Sequence, residues 1–261
     1  MATLAVQQQT SAEADSDLRF GAKLAIAMFL TAVAGFMTQY LAGRSTFASP
    51  LRVHLHAIAF FGWLVIFVAQ GWLGTRGPIA LHRKLGWLAM GWMGFMLAMG
   101  TWVITATVRN GTVPFFFRPQ HFLIENPGTI LLFIGLTSYA VSRRKETDWH
   151  VRLHVCALAA IMGPAFGRLL PMPLLIPWAF ETAVLAGLVF PAIGMIRDMR
   201  NAGRVHPAWW TGMAVLAVGF VAIWLLAHSP VAASIYQWVA AGSHGASVAP
   251  LEFGPFPPAT A

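Results

Sequence analysis

"VHLHAIAFFGWLVIFVAQGW", residues 53–72, decides the class of fold. It carries no Asp, Glu, Lys or Arg, and about 20 apolar residues at ~1.5 Å of helical rise are what a ~30 Å hydrocarbon core requires. Its first turn nevertheless holds His54 and His56. Successive helical residues turn by about 100°, so these two histidines point about 200° apart. His56 continues along Phe60, Trp63, Phe67 and Gln70 at steps of four and three, a stripe with a polar residue at each end. Polar residues sharing one face of an otherwise apolar helix belong in a bundle interior. His56 and Gln70 are therefore expected to face other helices, and His54 the headgroup region.

Similar runs recur along the chain. Of its 261 residues 57% are hydrophobic and only 10% charged, whereas about a quarter are charged in soluble domains. Seven segments qualify, at about 21–42, 53–74, 85–108, 121–142, 150–170, 173–196 and 208–228. Segments of about ten strictly alternating residues, the mark of a transmembrane barrel, do not occur. Short connections predict an all-α, seven-transmembrane-helix bundle over residues 21–228. Residues 1–20 are polar and acidic and read as a soluble tail rather than a cleaved signal. Residues 229–261 are expected to form a short interfacial helix around SIYQWVAA, followed by a disordered Gly/Pro-rich end.

The net charge of +8 reports orientation. Twelve of the 17 Lys and Arg fall in the N-terminal tail and even-numbered loops, five in the odd-numbered loops, and none in the C-terminal tail. The positive-inside rule then places the N-terminus in the cytoplasm and the C-terminus outside, in a plasma (inner) membrane. With the basic residues so placed, a nucleic-acid partner is not expected, and the lipid bilayer is. The single Cys156 forms no intrachain disulfide, and without CxxCH covalent haem attachment is excluded. The last predicted helix has no lysine for a retinal Schiff base.

The remaining polar groups fall into two layers. His82, His150 and His154 lie toward the cytoplasm, with His150 and His154 sharing a helix face at i, i+4. His56 and His121 lie toward the outside, with Glu125 four residues after His121. Arg168 follows His150 by five turns, about 27 Å, on the same stripe if Pro164 does not bend the helix. Glu181 stands alone in the sixth segment, and an intramembrane carboxylate is normally paired; Arg168 is its expected partner, with a proton-handling role as the alternative. His206, His228 and His244 are expected to be solvated.

Three functional classes are compatible with these layers. Haem b needs axial histidines from different helices at similar depth, with small residues where the macrocycle packs. His56 with His121, and His82 with His150 or His154, meet the first condition, and Gly86 and Gly100 on the His82 stripe bear on the second. Arg168 would then hold a haem propionate or a quinone oxygen, in a protein working with quinone or another redox partner. A metal-dependent enzyme would place zinc or iron on His82, His150 and His154, or on His56, His121 and Glu125. A non-catalytic assembly or transport protein would use the same groups only to join helices. The helix order is similar to that of di-haem b-type transmembrane cytochromes.

The sequence also carries HAxxFxxWxxxFxxQ on His56 to Gln70, LHRxLGW on His82 and Arg83, HxRL on His150 and Arg152 with the later Arg168, and RVHPA at His206. Over roughly residues 50–215 these signatures resemble an uncharacterised family of bacterial seven-helix membrane proteins. The resemblance implies topology and nominates these residues. It implies no reaction, and it makes His150 a stronger inner ligand than His154, where Met is expected.

Overall fold

A computed structural model describes the backbone of residues 2–256 and the side chains of residues 14–256. Every regular element among the described residues is helical: α1 (Ala2–Leu41), α2 (Leu51–Arg76), α3 (Ile79–Arg109), α4 (Pro119–Ser142), α5 (Thr147–Ala159), α6 (Gly163–Leu169), α7 (Ala179–Gly187), α8 (Val189–Ala202), α9 (Pro207–Ala227) and α10 (Pro230–Ala240), with short 3-10 turns at Met172–Leu175 and His244–Ser247. Proline sets many of the starts. Pro119, Pro207 and Pro230 open α4, α9 and α10, where the missing N–H would be unpaired in any case. Gly203, at φ 67°, ends α8 in the left-handed conformation that glycine adopts without a Cβ clash.

Five stretches are long and apolar enough to cross a membrane: Ala14–Leu41, Leu51–Arg76, Ile79–Arg109, Ala179–Ala202 and Pro207–Ala227. α5 and α6 together make a sixth, bent by 52° at the break between them. α4 has 24 residues but is interrupted by Glu125, Asn126 and Pro127, and it stands apart from this set. It is the most enclosed of the long helices, packed on α3, α5, α9 and α10, so Gln120, His121, Glu125, Thr129 and Thr137 are shielded from lipid. Large apolar side chains instead point outward from other helices, including Trp87 at 68% and Val218 at 70% exposure. Such a surface is what a multi-pass membrane protein presents to acyl chains.

The helices close a ring. α1 packs on α2, α2 on α3, α3 on α4, α4 on α5, and α5 returns to α1. α6 lies on α1, and α9 lies on α4 and α5. Close approach uses small residues: a Cβ on Gly71 would meet the Cα of Ala22 at 3.1 Å.

Ser16 and Asp17 of α1, the start of α5, the end of α8 and the start of α9 meet at one end of the bundle, the near end. Here Arg152 forks onto Asp198, Nε donating to Oδ2 at 2.9 Å and Nη2 to Oδ1 at 3.0 Å. Its Nη1 donates to Asp17, which also accepts from Arg197 at 2.7 Å. Trp209 Nε1 donates to the same Asp198 carboxylate at 2.9 Å. His206, expected to be solvated, caps α9 by accepting from Ala208 N, and its Nε2 lies 2.9 Å from Asp148 Oδ2. Arg152 and Asp198 are both buried. The polar leader is therefore not a separate tail throughout: α1 runs through it, and Ser16 and Asp17 belong to this latch.

At the opposite, far end, α10 lays Tyr236 and Val239 against Ile104, Val108 and Leu123 and leaves Trp238 79% exposed. Arg109 at the end of α3 donates to Val239 O at 2.7 Å. Beyond α10 the chain folds back, with Gln120 N donating to Pro250 O at 2.9 Å and Gly254 N to Phe115 O at 3.0 Å. Part of the stretch expected to be disordered is thus tied down by main-chain bonds, and residues 257–261 lie outside the described residues.

Arg152→Met is expected to cost about 3–5 kcal/mol of stability, because Asp17 and Asp198 keep their burial and are left to share the single cation of Arg197, at 2.7 and 3.5 Å. Arg143→Met, which breaks the exposed 2.6 Å pair with Glu146, is expected to cost less than about 1 kcal/mol. Unfolding of both variants in one detergent checks the contrast.

Candidate functional site

The α2 stripe faces the interior of the five-helix ring. Trp63 packs edge-on against Phe133 of α4, with centroids 4.9 Å apart, and Phe67 lies 6.3 Å from His154 of α5. Phe60 and Gln70 flank Gly100 and Gly86 of α3. One helical face therefore touches three other helices, as its periodicity predicts.

Three imidazoles cross the near-end half of this interior. His82 sits in the first turn of α3, where its Nδ1 lies 3.3 Å from the Gln70 carbonyl. His150 sits in the first turn of α5, its Nδ1 2.8 Å from the Ala140 carbonyl. Ala140 lies in the last turn of α4, whose carbonyls lack helical partners. A carbonyl only accepts, so both Nδ1 atoms carry the proton and both Nε2 atoms keep a lone pair. The His82 and His150 rings are 6.5 Å apart, and His154 is 4.5 Å beyond His150. Space around His82 is kept by glycine: a Cβ on Gly74 would sit 3.9 Å from its ring, and one on Gly86 would meet only Gln70 Nε2 within 4 Å.

The ring interior holds polar atoms with nothing to bond. Trp63 Nε1, Gln70 Oε1, Thr137 Oγ1 and His56 Nδ1 are all buried without a hydrogen-bond partner. Native proteins leave few such atoms, and a group of them marks water or a ligand.

His56 does not join His121. Its ring stacks 4.5 Å from Phe60, and it lies near the Met99 carbonyl and the Arg168 guanidinium. His121 packs instead on His228, with ring centroids 4.1 Å apart, and its Nδ1 is 3.9 Å from Glu125 Oε1. The α4 helix starts at Pro119, ahead of Asn126-Pro127, so His121 and Glu125 occupy successive turns of one face. They line a far-end cavity of about 120 Å³ together with Arg118, Glu181, His228 and an aromatic wall that includes Trp178 and Trp224. Phe253, from the returning C-terminal segment, closes one side, with Arg118 4.9 Å over its ring.

Arg168 and Glu181 do not pair. Arg168 Nη1 donates to Pro164 O at 2.8 Å, and its guanidinium lies 4.0 Å over the ring of Phe36. The 52° break between α5 and α6 takes it off the His150 stripe, while Glu181 turns to the far-end cavity. Among the described residues no three His, Cys, Asp or Glu side chains converge on a metal site, His82, His150 and His154 included. Sequence reasoning missed His228 and Arg118 as cavity residues. The only available signal was Trp224 preceding His228 by four residues, and the two rings stack at 3.9 Å.

The chain matches no protein-family profile, no curated protein and no solved structure.

Thr137→Val keeps the shape of the side chain and removes the buried hydroxyl. It is expected to lower stability by about 1–2 kcal/mol, roughly 2–8 °C in Tm, by removing a bond to whatever polar group fills the ring. An unchanged or raised Tm in a thermal-shift measurement would mean that the hydroxyl faces a dry space.

Proposed function

We propose that the protein is a multi-pass electron carrier of the bacterial plasma membrane that holds a b-type haem between His82 of α3 and His150 of α5. In this reading α4 is a seventh crossing, the near end faces the cytoplasm, and α10 lies outside, as the distribution of Lys and Arg directs.

The spacing of the two rings carries the proposal. Imidazoles that held one iron between them, at metal–nitrogen distances of ~2.0–2.1 Å, would have ring centroids about 6 Å apart. Those of His82 and His150 are 6.5 Å apart. Each Nδ1 is anchored on a main-chain carbonyl, the outer contact that fixes a ligating histidine in orientation and tautomer. The two residues come from helices that each pack on α4, as a ligand pair drawn from facing helices requires. Gly74 and Gly86 leave room beside His82, and the unpaired Gln70 Oε1 lies on the same interior face. His154 serves as a wall residue in this arrangement. Haem in such a position supplies a one-electron redox centre.

The far-end cavity supports a second, compatible role, the binding of a quinol headgroup. Its volume of about 120 Å³ approaches the ~150 Å³ that admits a benzene ring. His121 and Glu125 supply proton acceptors at its edge, and the aromatic wall supplies stacking surface.

Protein purified in detergent from haem-replete cells is expected to give sharp reduced-minus-oxidised bands and about one haem per chain. His82→Leu and His150→Leu are each expected to abolish the bands, and His154→Leu to keep the haem with a shifted spectrum. Absence of bands in the unmodified protein would overturn the reading. Stoichiometric zinc or iron without haem would point instead to a metal-dependent enzyme.

A further inference from the structure

A groove of about 570 Å³ runs along the outer surface between α1 and α2. Its lining comes from two antiparallel helices, so the N-terminal part of α1 and the C-terminal part of α2 share one end. Arg19 and Lys23, one turn apart on α1, and Arg76, the last residue of α2, gather at that end. Below them the lining is apolar: Ala22, Ala69, Ile26, Phe29, Val65 and Val68. The two helices approach closely beside this lining, where Gly71 lies against Ala22. From Arg19 to Phe29 the groove follows ten residues of helix, about 15 Å, which is half of a ~30 Å hydrocarbon core and so the depth of one leaflet.

We infer that this groove is a binding site for an anionic phospholipid, its phosphate held by Arg19, Lys23 and Arg76 and one acyl chain laid along Ile26, Phe29 and Val65. Charge argues for the headgroup. The cations of the neighbouring latch are spent on carboxylates, Arg152 and Arg197 on Asp17 and Asp198. By contrast, no acidic side chain lines the groove, and Arg19, Lys23 and Arg76 make no ion pair among the described residues. A zwitterionic lipid brings its own cation against them, and an anionic one does not. The Thr75 hydroxyl is already donated to main-chain oxygens of its own helix, at 2.9 Å from Trp72 O and 3.2 Å from Gly71 O, which leaves the three cations and the Trp72 indole N–H as the donors for a phosphate. Trp72, 55% exposed beside them, sits at the depth that interfacial tryptophan favours. Basic pockets between transmembrane helices recognise acidic headgroups through this combination of a cation cluster and an apolar trough.

Native mass spectrometry of the full chain, offered equal amounts of phosphatidylglycerol and phosphatidylcholine with identical acyl chains, tests the site. The unmodified protein is expected to retain phosphatidylglycerol roughly tenfold or more over phosphatidylcholine, since each basic residue near the headgroup adds about fivefold. Arg19→Gln with Lys23→Gln and Arg76→Gln is expected to abolish the preference. Val65→Trp, which fills the trough and leaves the cations, is expected to reduce retention of phosphatidylglycerol. Arg200→Gln with Arg204→Gln removes two charges from outside the groove and is expected to leave the preference intact. Equal retention of both lipids, or a preference that survives the triple change or falls as far in the Arg200/Arg204 control, would overturn the proposal. All five basic positions are exposed, so the variants keep the buried core unaltered.

Discussion

The buried guanidinium of Arg152 is the contact on which the rest of the arrangement depends. It forks onto Asp198 of α8 and reaches Asp17 of α1, while the indole of Trp209 on α9 closes the same carboxylate. Four helices are fixed by one group of charges that has no cheap alternative state, because separating any member leaves a charge stranded in low dielectric. On α5, residues 150 and 152 point to opposite sides of the helix. Holding Arg152 outward therefore fixes the rotation that turns His150 and His154 inward, toward α2 and α3. The charged latch contributes no ligand, yet it sets the angle at which His150 and His154 face the ring.

The ring itself follows from two kinds of helix face. α2 carries bulky aromatics and unpaired polar atoms on its inner side, and apolar side chains such as Val65 on its outer side. α4, surrounded by other helices, carries the polar load at the far end, with Gln120, His121 and Glu125 all buried. A helix shielded from lipid is free to be polar. That is why α4 can hold Gln120, His121 and Glu125 within its first two turns while being the most enclosed of the long helices.

Periodicity made the rotation of single helices legible, and little else. The stripe from His56 to Gln70 faces inward as its spacing predicts, and the segments 53–74, 121–142, 150–170 and 208–228 fall within three residues of helical stretches, whereas 173–196 lies six residues ahead of Ala179–Ala202. What periodicity does not encode is which helix a face meets. Alternation of layers paired His56 with His121, whereas α2 lies between α1 and α3, and His121 finds His228 from the end of α9. The Arg168–Glu181 pair failed for a related reason, since the break before Gly163 redirects everything after it. Asp198 and Trp209 left no local signal, because each acquires its partner only across helices. The polar leader and the C-terminal segment read as loose by composition; their anchors are a few ion pairs and main-chain bonds that composition does not reveal.

Closure of the ring by α1 against α5 has a consequence for how the protein is made. α2 leaves the ribosome with His56, Trp63 and Gln70 already on one face, but the wall that α5 provides for that face lies about a hundred residues further on. At ~5–20 residues per second, the interval lasts roughly 5–20 s. During that time the polar stripe has only α1, α3 and α4 beside it in turn. Unassembled intermediates must therefore keep the uncovered part of the stripe against water, a neighbouring helix or an insertion factor, and a chain that stops before α5 lacks the His154 contact that covers Phe67.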